Sequence, residues 1–171
     1  MANSDSRQAI LERLFPKSGN RGGFGAREET VKFLKERHSG RRMAQAISFE
    51  TVSGRKMQMI CYLLQNVQGE WKFSGAAGGE GDQIAPARNY PSVDLGGGGW
   101  PDYFFAGGSV IGQGHDIARV RLVTGNGIIL EDRVEDGLVL FVTEEVVTLP
   151  VKAELYDQAG TLVGSHGVLG V

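Results

Sequence analysis

The last third of the chain alternates apolar and polar residues between short segments that are typical of tight turns. "DIARVRLVT" is followed by Gly125-Asn126-Gly127 and "IILEDRV", and Asp136-Gly137 then precedes "LVLFVTEE". Asn-Gly and Asp-Gly between apolar runs favour two-residue hairpins, because type I′ turns need a positive φ at both central residues. "DQAG", between "TLPVKAELY" and "TLVGSH", fits a type I turn closed by a glycine bulge. The pattern predicts a meander of antiparallel strands with one solvated face.

Strand-like alternation continues towards the N-terminus. In "RKMQMICYLLQNV" the side chains of Met57, Met59, Cys61 and Leu63 fall on one face, and "YFFAGGSVI" adds another strand. Roughly eight or nine short strands result, with the turn spacing typical of all-β domains. Because no helical segment separates consecutive strands, a parallel α/β sheet is disfavoured. We therefore expect a mainly-β protein with an antiparallel β-sandwich.

The first forty residues instead favour two short helices. "SDSRQAILERLF" carries an apolar stripe that ends at Pro16, and "AREETVKFLKERHSG" places Val31, Leu34 and His38 on one helical face before Gly40. The predicted organisation is a helical segment over residues 1–40 and a β-sandwich domain over residues 41–171. Within the latter, residues 76–100 are predicted to form an irregular glycine-rich connection, since large aliphatic side chains are scarce there.

The strand-rich C-terminal pattern "ARVRLVTGNG…VEDGLVLFV…VKAELYDQAGTLV" resembles the immunoglobulin-like modules found in many bacterial proteins. The resemblance covers residues 116–166 and concerns the fold alone. It implies an immunoglobulin-like sandwich but no site residues, because such sandwiches host unrelated functions.

Charge and composition argue against several classes of partner. The formal net charge is −2, which argues against nucleic acid and membrane surfaces as partners. The basic segment "KFLKERHSGRR" is interrupted by glutamates and is interpreted as a solvated helix face, ending at Arg41 and Arg42.

One cysteine, Cys61, excludes an internal disulfide, and the first residues lack the apolar stretch of a secretory signal. We expect a cytoplasmic protein.

The stretch "DLGGGGWPDYFFAGG" combines a glycine run with aromatic side chains. It lacks the lysine and the following helix of a phosphate-binding loop, so no nucleotide cofactor is expected. Two interpretations remain: the glycines form a hinge and the aromatics enter the core, or the loop binds a ligand. In the second case the candidate ligand-binding residues are Trp100, Asp102, Tyr103 and Phe104.

An alternative site would consist of His115, Asp116 and His166, with Asp102 as a further carboxylate that converges on them in space. Imidazole and carboxylate groups suit several divalent metals, so convergence of these residues would make a small metal-dependent hydrolase. No pair shows the spacing of a recognised metal motif.

The sequence therefore predicts a non-enzymatic binding or interaction module that uses the glycine–aromatic loop and needs no cofactor. A protein or peptide is the expected partner. Self-association through an edge strand or the N-terminal helices is also consistent with the pattern.

Overall fold

The structure, a computed structural model, describes residues 4–16, 24–80, 88–99 and 101–170. These residues form one α-helix, a short 3-10 helix and eleven strands. In chain order the elements are α1 (Ser4–Leu14), the 3-10 helix (Glu28–Thr30), β1 (Lys32–Ser39), β2 (Arg42–Glu50), β3 (Lys56–Gln65), β4 (Trp71–Glu80), β5 (Ser92–Gly98), β6 (Phe104–Ile111), β7 (Ile117–Val123), β8 (Ile129–Arg133), β9 (Leu138–Thr143), β10 (Val151–Asp157) and β11 (Leu162–Leu169).

The strands form three antiparallel sheets. The N-terminal sheet has the order β1-β2-β3-β4, the central sheet β5-β6-β9 and the C-terminal sheet β11-β10-β7-β8. Neighbouring strands pair antiparallel throughout, which confirms the prediction of a mainly-β antiparallel fold.

The central sheet is covered on both faces by the other two. Phe104 packs towards the C-terminal sheet with Val120 and Leu155, while the next residue, Phe105, packs towards the N-terminal sheet with Tyr62. This double burial explains why "FFAGG" and "LVLFV" are continuous runs of apolar residues and glycine rather than alternating patterns. The result is a stack of three sheets with two separate core layers.

The outer face of the N-terminal sheet is covered by α1. Ile10 and Leu14 are buried against the face that carries Cys61 and Leu63, and each such side chain stabilises the fold by about 1.5–3 kcal/mol. The predicted first helix and the predicted shared face of β3 are confirmed. Among the described residues, no helix has the length and apolarity needed to cross a membrane.

The predicted second helix is wrong, because its C-terminal half is strand β1. A β-bulge at Leu34 interrupts the pairing with β2 and shifts the alternation by one residue. Lys35 and Arg37 consequently point to the inner face, and His38 points to the outer face beside Trp71. Because of this bulge, Val31, Leu34 and His38 have the sequence spacing of residues on one face of a helix. The β1–β2 hairpin closes at Gly40, where φ is +57°, and spans the predicted boundary between residues 40 and 41.

Residues 76–100, predicted as irregular, contribute to two strands, and residues 81–87 lie outside the described residues. β4 extends to Glu80, and Gly96, Gly97 and Gly98 belong to β5, where they pair with β6. A Cβ at Gly97 would overlap the Phe105 carbonyl. The glycines in β5 therefore allow close strand approach and are not a hinge, which corrects that interpretation.

The predicted turns differ in detail. Asp136 and Gly137 have φ of +51° and +75°, as a type I′ turn requires. At Gly125-Asn126-Gly127 only Gly127 has a positive φ, so this turn is not type I′. "DQAG" closes with Gly160 at φ +81°.

Candidate functional site

The candidate residues of the glycine–aromatic loop separate into surface and core. The backbone N–H groups of Asp102 and Tyr103 both donate to the Gly99 carbonyl, at 3.1 and 3.0 Å. Asp102 is exposed and Tyr103 is half-buried, whereas Phe104 is 0% exposed in the core. Trp100 lies outside the described residues. Asp102 and Tyr103 are thus the described candidates that lie at the surface.

Tyr103 belongs to an aromatic stack that closes one end of the layer between the N-terminal and central sheets. Its ring lies parallel to that of Tyr62, with centroids 4.2 Å apart, and Tyr62 in turn stacks on Phe105 at 5.3 Å. Gly99 has φ +97°, and a Cβ at this position would overlap the Tyr103 ring. Glycine at 99 therefore permits the contact between the backbone and the ring.

Arg42 of the β1–β2 hairpin contacts this stack, and its neighbour Arg41 contacts the same carboxylate as Arg42. Arg42 Cζ lies 5.7 Å from the Tyr103 ring centroid, and Arg42 Nε lies 3.7 Å from Glu144 Oε1. The Arg41 backbone N–H donates to the same carboxylate oxygen at 3.2 Å. Burial raises the pKa of Tyr62, and the positive charge of Arg42 opposes this shift. We call these five residues (Arg41, Arg42, Tyr62, Tyr103 and Glu144) the arginine–tyrosine cluster.

A groove opens at the other end of the same layer. The groove has a volume of about 480 Å³, within the range of small-ligand sites. We call it the interlayer groove. A second cavity of about 350 Å³ adjoins it and has Ser48, Lys56 and Met57 in its lining as well.

The interlayer groove has a neutral polar strip bordered by apolar side chains. Ser48, Gln58 and Ser109 come from β2, β3 and β6, and Ser109 Oγ donates to Gln58 Oε1 at 3.3 Å. In the described part of the chain, the Gln58 amide nitrogen and the Ser48 hydroxyl have no hydrogen bond to protein. The apolar lining comes from Leu34, Met57, Val110 and Leu138, and the charged lining from Lys35, Lys56, Glu135 and Asp136.

Buried charges hold one wall of the groove in place. Lys35 Nζ lies 2.7 Å from Asp132 Oδ2 and donates to the carbonyls of Leu138, at 3.1 Å, and Arg133. These three acceptors use all the ammonium donors of Lys35. Arg37 Nε contacts the other Asp132 oxygen at 2.8 Å. The network fixes the β8–β9 turn against β1 rather than offering Lys35 to a ligand.

The residues of the alternative metal site are not brought together. His115 and Asp116 are exposed in the turn before β7, whereas His166 Nε2 accepts the Val93 N–H at 3.1 Å. Ile117, at the start of β7, pairs with Asp157 and His166 pairs with Ala153, four residues along β10, which corresponds to about 13 Å. Among the described residues, no group of three or more His, Cys, Asp or Glu is placed to hold a metal.

Comparison with known proteins gives no relative from which a role can be transferred. No protein-family model matches the chain, and no curated protein or solved structure matches it either.

Sequence reasoning missed the interlayer groove and its charged wall. Lys35 and Asp132 lie far apart in the chain, and nothing in either local pattern links them. Gln58 could have been identified from the sequence, because it is a polar residue in the apolar run "KMQMICYLL" and lies on a strand face whose other residues belong to the core.

Proposed function

We propose that this chain is a non-enzymatic binding module that holds an extended peptide segment of a protein partner in the interlayer groove. The observation that carries the proposal is the strip of neutral polar side chains formed by Ser48, Gln58 and Ser109, bordered by apolar and charged side chains. Hydroxyl and amide groups match the donors and acceptors of a peptide backbone without requiring a charge. A peptide segment would satisfy the Gln58 amide while its side chains cover apolar walls.

The shape and chemistry of the groove favour binding over catalysis. Two adjacent cavities that share three lining residues suit a linear ligand better than a compact one. Nucleophilic catalysis by Ser109 would need its hydroxyl to donate to a base, and it donates instead to the Gln58 amide oxygen, which is not one. The described lining also contains no histidine. The bulge at Leu34 contributes an apolar side chain, 45% exposed, at the rim where a partner's side chain would pack.

Several finer expectations remain proposals alongside this one. They are a ligand contact by Trp100, Asp102 or Tyr103, an immunoglobulin-like relationship of residues 116–166, a cytoplasmic location, and self-association through an edge strand.

Selection from a displayed library of random linear heptapeptides tests the proposal. Peptides enriched on the wild-type protein are titrated by isothermal calorimetry against wild type, Gln58→Ala and Leu34→Ser. Val67→Ser is the matched control, because Val67 is 82% exposed and does not line the described groove. We expect at least tenfold weaker binding for both groove variants and unchanged binding for the control. Failure to enrich any peptide, or equal affinity for Gln58→Ala and wild type, contradicts the proposal.

A further inference from the structure

The outer face of the C-terminal sheet, which points away from the central sheet, carries a regular grid of residues. The strand registers place these residues in three rows across β8, β7, β10 and β11. In that strand order the rows are Arg133, Arg119, Tyr156 and Leu162; Glu131, Arg121, Glu154 and Ser165; and Ile129, Val123, Lys152 and Gly167. None of them belongs to a core layer formed by the described residues. We call this set the C-terminal outer face.

Positive side chains outnumber negative ones on the C-terminal outer face. Its charged residues are the cations Arg119, Arg121, Arg133 and Lys152 and the carboxylates Glu131 and Glu154. The face therefore has a charge of +2, whereas the formal net charge of the whole chain is −2. Arg119 and Arg133 lie directly opposite each other on β7 and β8, and like charges in this position destabilise a sheet.

The carboxylate nearest to the arginines does not neutralise all of them. Glu131 Oε2 accepts from Arg119 Nη1 at 2.6 Å and from Arg121 Nε at 3.2 Å, so two guanidinium groups share one oxygen. Arg133 and Lys152 are exposed, and their charged groups make no hydrogen bond or ion pair with the described residues. These two cations are available to carboxylates from outside the chain.

Tyr156 holds the neighbouring arginine side chains in place. Arg119 Cζ and Arg121 Cζ lie 4.3 and 5.2 Å from the centroid of its ring, and its hydroxyl donates to Glu154 Oε2 at 2.7 Å. A side chain that is already held loses less conformational entropy when it binds a partner. Tyrosine and arginine are also among the side chains enriched at interfaces between proteins.

Two exposed aliphatic side chains mark diagonally opposite corners of the C-terminal outer face. Ile129, in the third row on β8, is 57% exposed, and Leu162, in the first row on β11, is 50% exposed. Four strands and three rows give a grid with sides of about 14 Å, so these corners are about 20 Å apart. Interfaces between folded proteins bury about 800 Å² on each partner, several times the area of this grid. The face therefore suits one extended segment better than a folded domain.

We infer that the C-terminal outer face binds an extended acidic segment of a protein partner, with an apolar side chain at each end of the segment. Two carboxylates balance the charge of +2, and carboxylates match the planar donors of arginine. Alternate residues of an extended segment point to the same side, and its first and seventh residues lie about 20 Å apart. The pattern apolar-x-acid-x-acid-x-apolar therefore fits the two corners and the cations between them.

This surface is separate from the interlayer groove. No residue of the C-terminal outer face lines that groove or the adjoining cavity. Failure of peptide binding in the groove therefore leaves this inference untouched, and the reverse also holds.

Three synthetic peptides test the inference. Acetyl-LSESESL-amide has the expected pattern, acetyl-LSQSQSL-amide lacks its charges, and acetyl-SSESESS-amide lacks its apolar ends. Backbone ¹H–¹⁵N NMR titrations give the dissociation constants and locate the affected strands. We expect the first peptide to produce saturable shifts in β7, β8, β10 and β11, with at least tenfold weaker binding of the second and at least threefold weaker binding of the third. Absence of binding by the first peptide, or equal binding of the first two, overturns the inference.

Charge reversal separates recognition from a structural effect. Arg133→Glu should bind acetyl-LSESESL-amide at least tenfold more weakly than wild type and should bind acetyl-LSKSKSL-amide more tightly than wild type does. Lys72→Glu, an exposed cation on β4 with the same change in charge, is the control and should bind like wild type. Equal binding of the acidic peptide by Arg133→Glu and Lys72→Glu contradicts the inference. If Arg133→Glu does not fold, Lys152→Glu serves for the same comparison.

Two further measurements test the assignment of site and partner. Gln58→Ala should leave binding of acetyl-LSESESL-amide unchanged, and a loss in this variant would place the peptide in the interlayer groove and overturn the inference. A seven-nucleotide oligodeoxythymidylate should bind more weakly than the acidic peptide. Tighter binding of the oligonucleotide, lost in Arg133→Glu, would assign the face to nucleic acid instead.

Discussion

Lys35 and Asp132 form a buried ion pair that joins the edge of the N-terminal sheet to β8 of the C-terminal sheet. Their Nζ and Oδ2 atoms lie 2.7 Å apart, and their side chains are 3% and 6% exposed. The Leu140 N–H donates to the same Asp132 oxygen at 2.8 Å, which ties β9 of the central sheet into the network. One ion pair therefore connects all three sheets at a single point.

Removing one member of this ion pair is expected to lower the free energy of unfolding substantially. Asp132→Asn leaves the Lys35 ammonium buried without a counter-ion, and such a change typically costs about 3–5 kcal/mol. The double variant Lys35→Met/Asp132→Leu removes both charges, so we expect it to recover most of the loss. Urea unfolding of the three proteins measures the differences. A double variant no more stable than Asp132→Asn would show that the hydrogen bonds to the carbonyls and to Leu140, rather than the charge pairing, dominate.

Local patterns predicted the elements whose causes are local. The turn at Asp136-Gly137 and the apolar face of Met59, Cys61 and Leu63 both follow from neighbouring residues, and both are confirmed. The bulge at Leu34 could not be predicted in the same way, because it depends on pairing with β2 and leaves a spacing that imitates a helix.

In the candidate sites, too, the sequence predicts what depends on neighbouring residues and not what depends on long-range contacts. Tyr103 was identified from its glycine-rich surroundings, but its stacking on Tyr62 depends on two different sheets. The sequence pattern places Arg41 and Arg42 at the end of a helix face, whereas the hairpin turn between β1 and β2 brings Arg42 to Tyr103. Contacts between residues that are far apart in the chain leave no pattern in a short stretch of sequence, so they could not be predicted from it.

Gly99→Ala is expected to destabilise the protein more than an alanine at a comparable turn. Gly99 has φ +97°, and its added Cβ would overlap the Tyr103 ring, so both backbone strain and steric displacement oppose the change. Gly54→Ala is the control, because Gly54 has φ +82° with nothing within 4 Å of its added Cβ. We expect about 1 kcal/mol for the control from backbone strain, and a larger loss for Gly99→Ala in thermal unfolding. Equal losses would mean that the ring moves aside freely.

Glu36 and Gln45 offer a site where one substitution should increase stability. The two residues face each other across β1 and β2, and their buried Glu36 Oε2 and Gln45 Oε1 atoms accept no hydrogen bond from the described residues. Glu36→Gln supplies an amide N–H to this pair, so we expect a gain of about 0.5–1.5 kcal/mol in the free energy of unfolding. Glu28→Gln, at an exposed position, is the control for loss of a negative charge. A destabilised Glu36→Gln would indicate that the carboxylate is held by interactions beyond this pair.

Cys61 provides a probe of the core beneath α1. Burial raises the pKa of its thiol from 9.0 to about 12, so the native protein holds almost no thiolate at pH 8. Reaction with a disulfide reagent should therefore be very slow in the native state and fast in urea. Ile10→Ala weakens the packing of α1 over this face, and we expect it to accelerate the native-state reaction. Leu122→Ala removes comparable packing from the layer between the central and C-terminal sheets, and a similar acceleration in that variant would assign the reaction to global unfolding instead.

The same thiol makes stability depend on pH in the alkaline range. The unfolded thiol loses its proton near pH 9, whereas the folded thiol stays protonated to about 12. Its contribution is therefore complete below pH 9 and is lost as the pH rises towards 12, by an amount on the order of 4 kcal/mol. Cys61→Val removes the titrating group and fills a similar space. We expect the free energy of unfolding of wild type, measured in urea, to fall relative to Cys61→Val between pH 8.5 and 10.5, with parallel curves below pH 8. Parallel curves over the whole range would show that the folded thiol ionises as readily as the unfolded one.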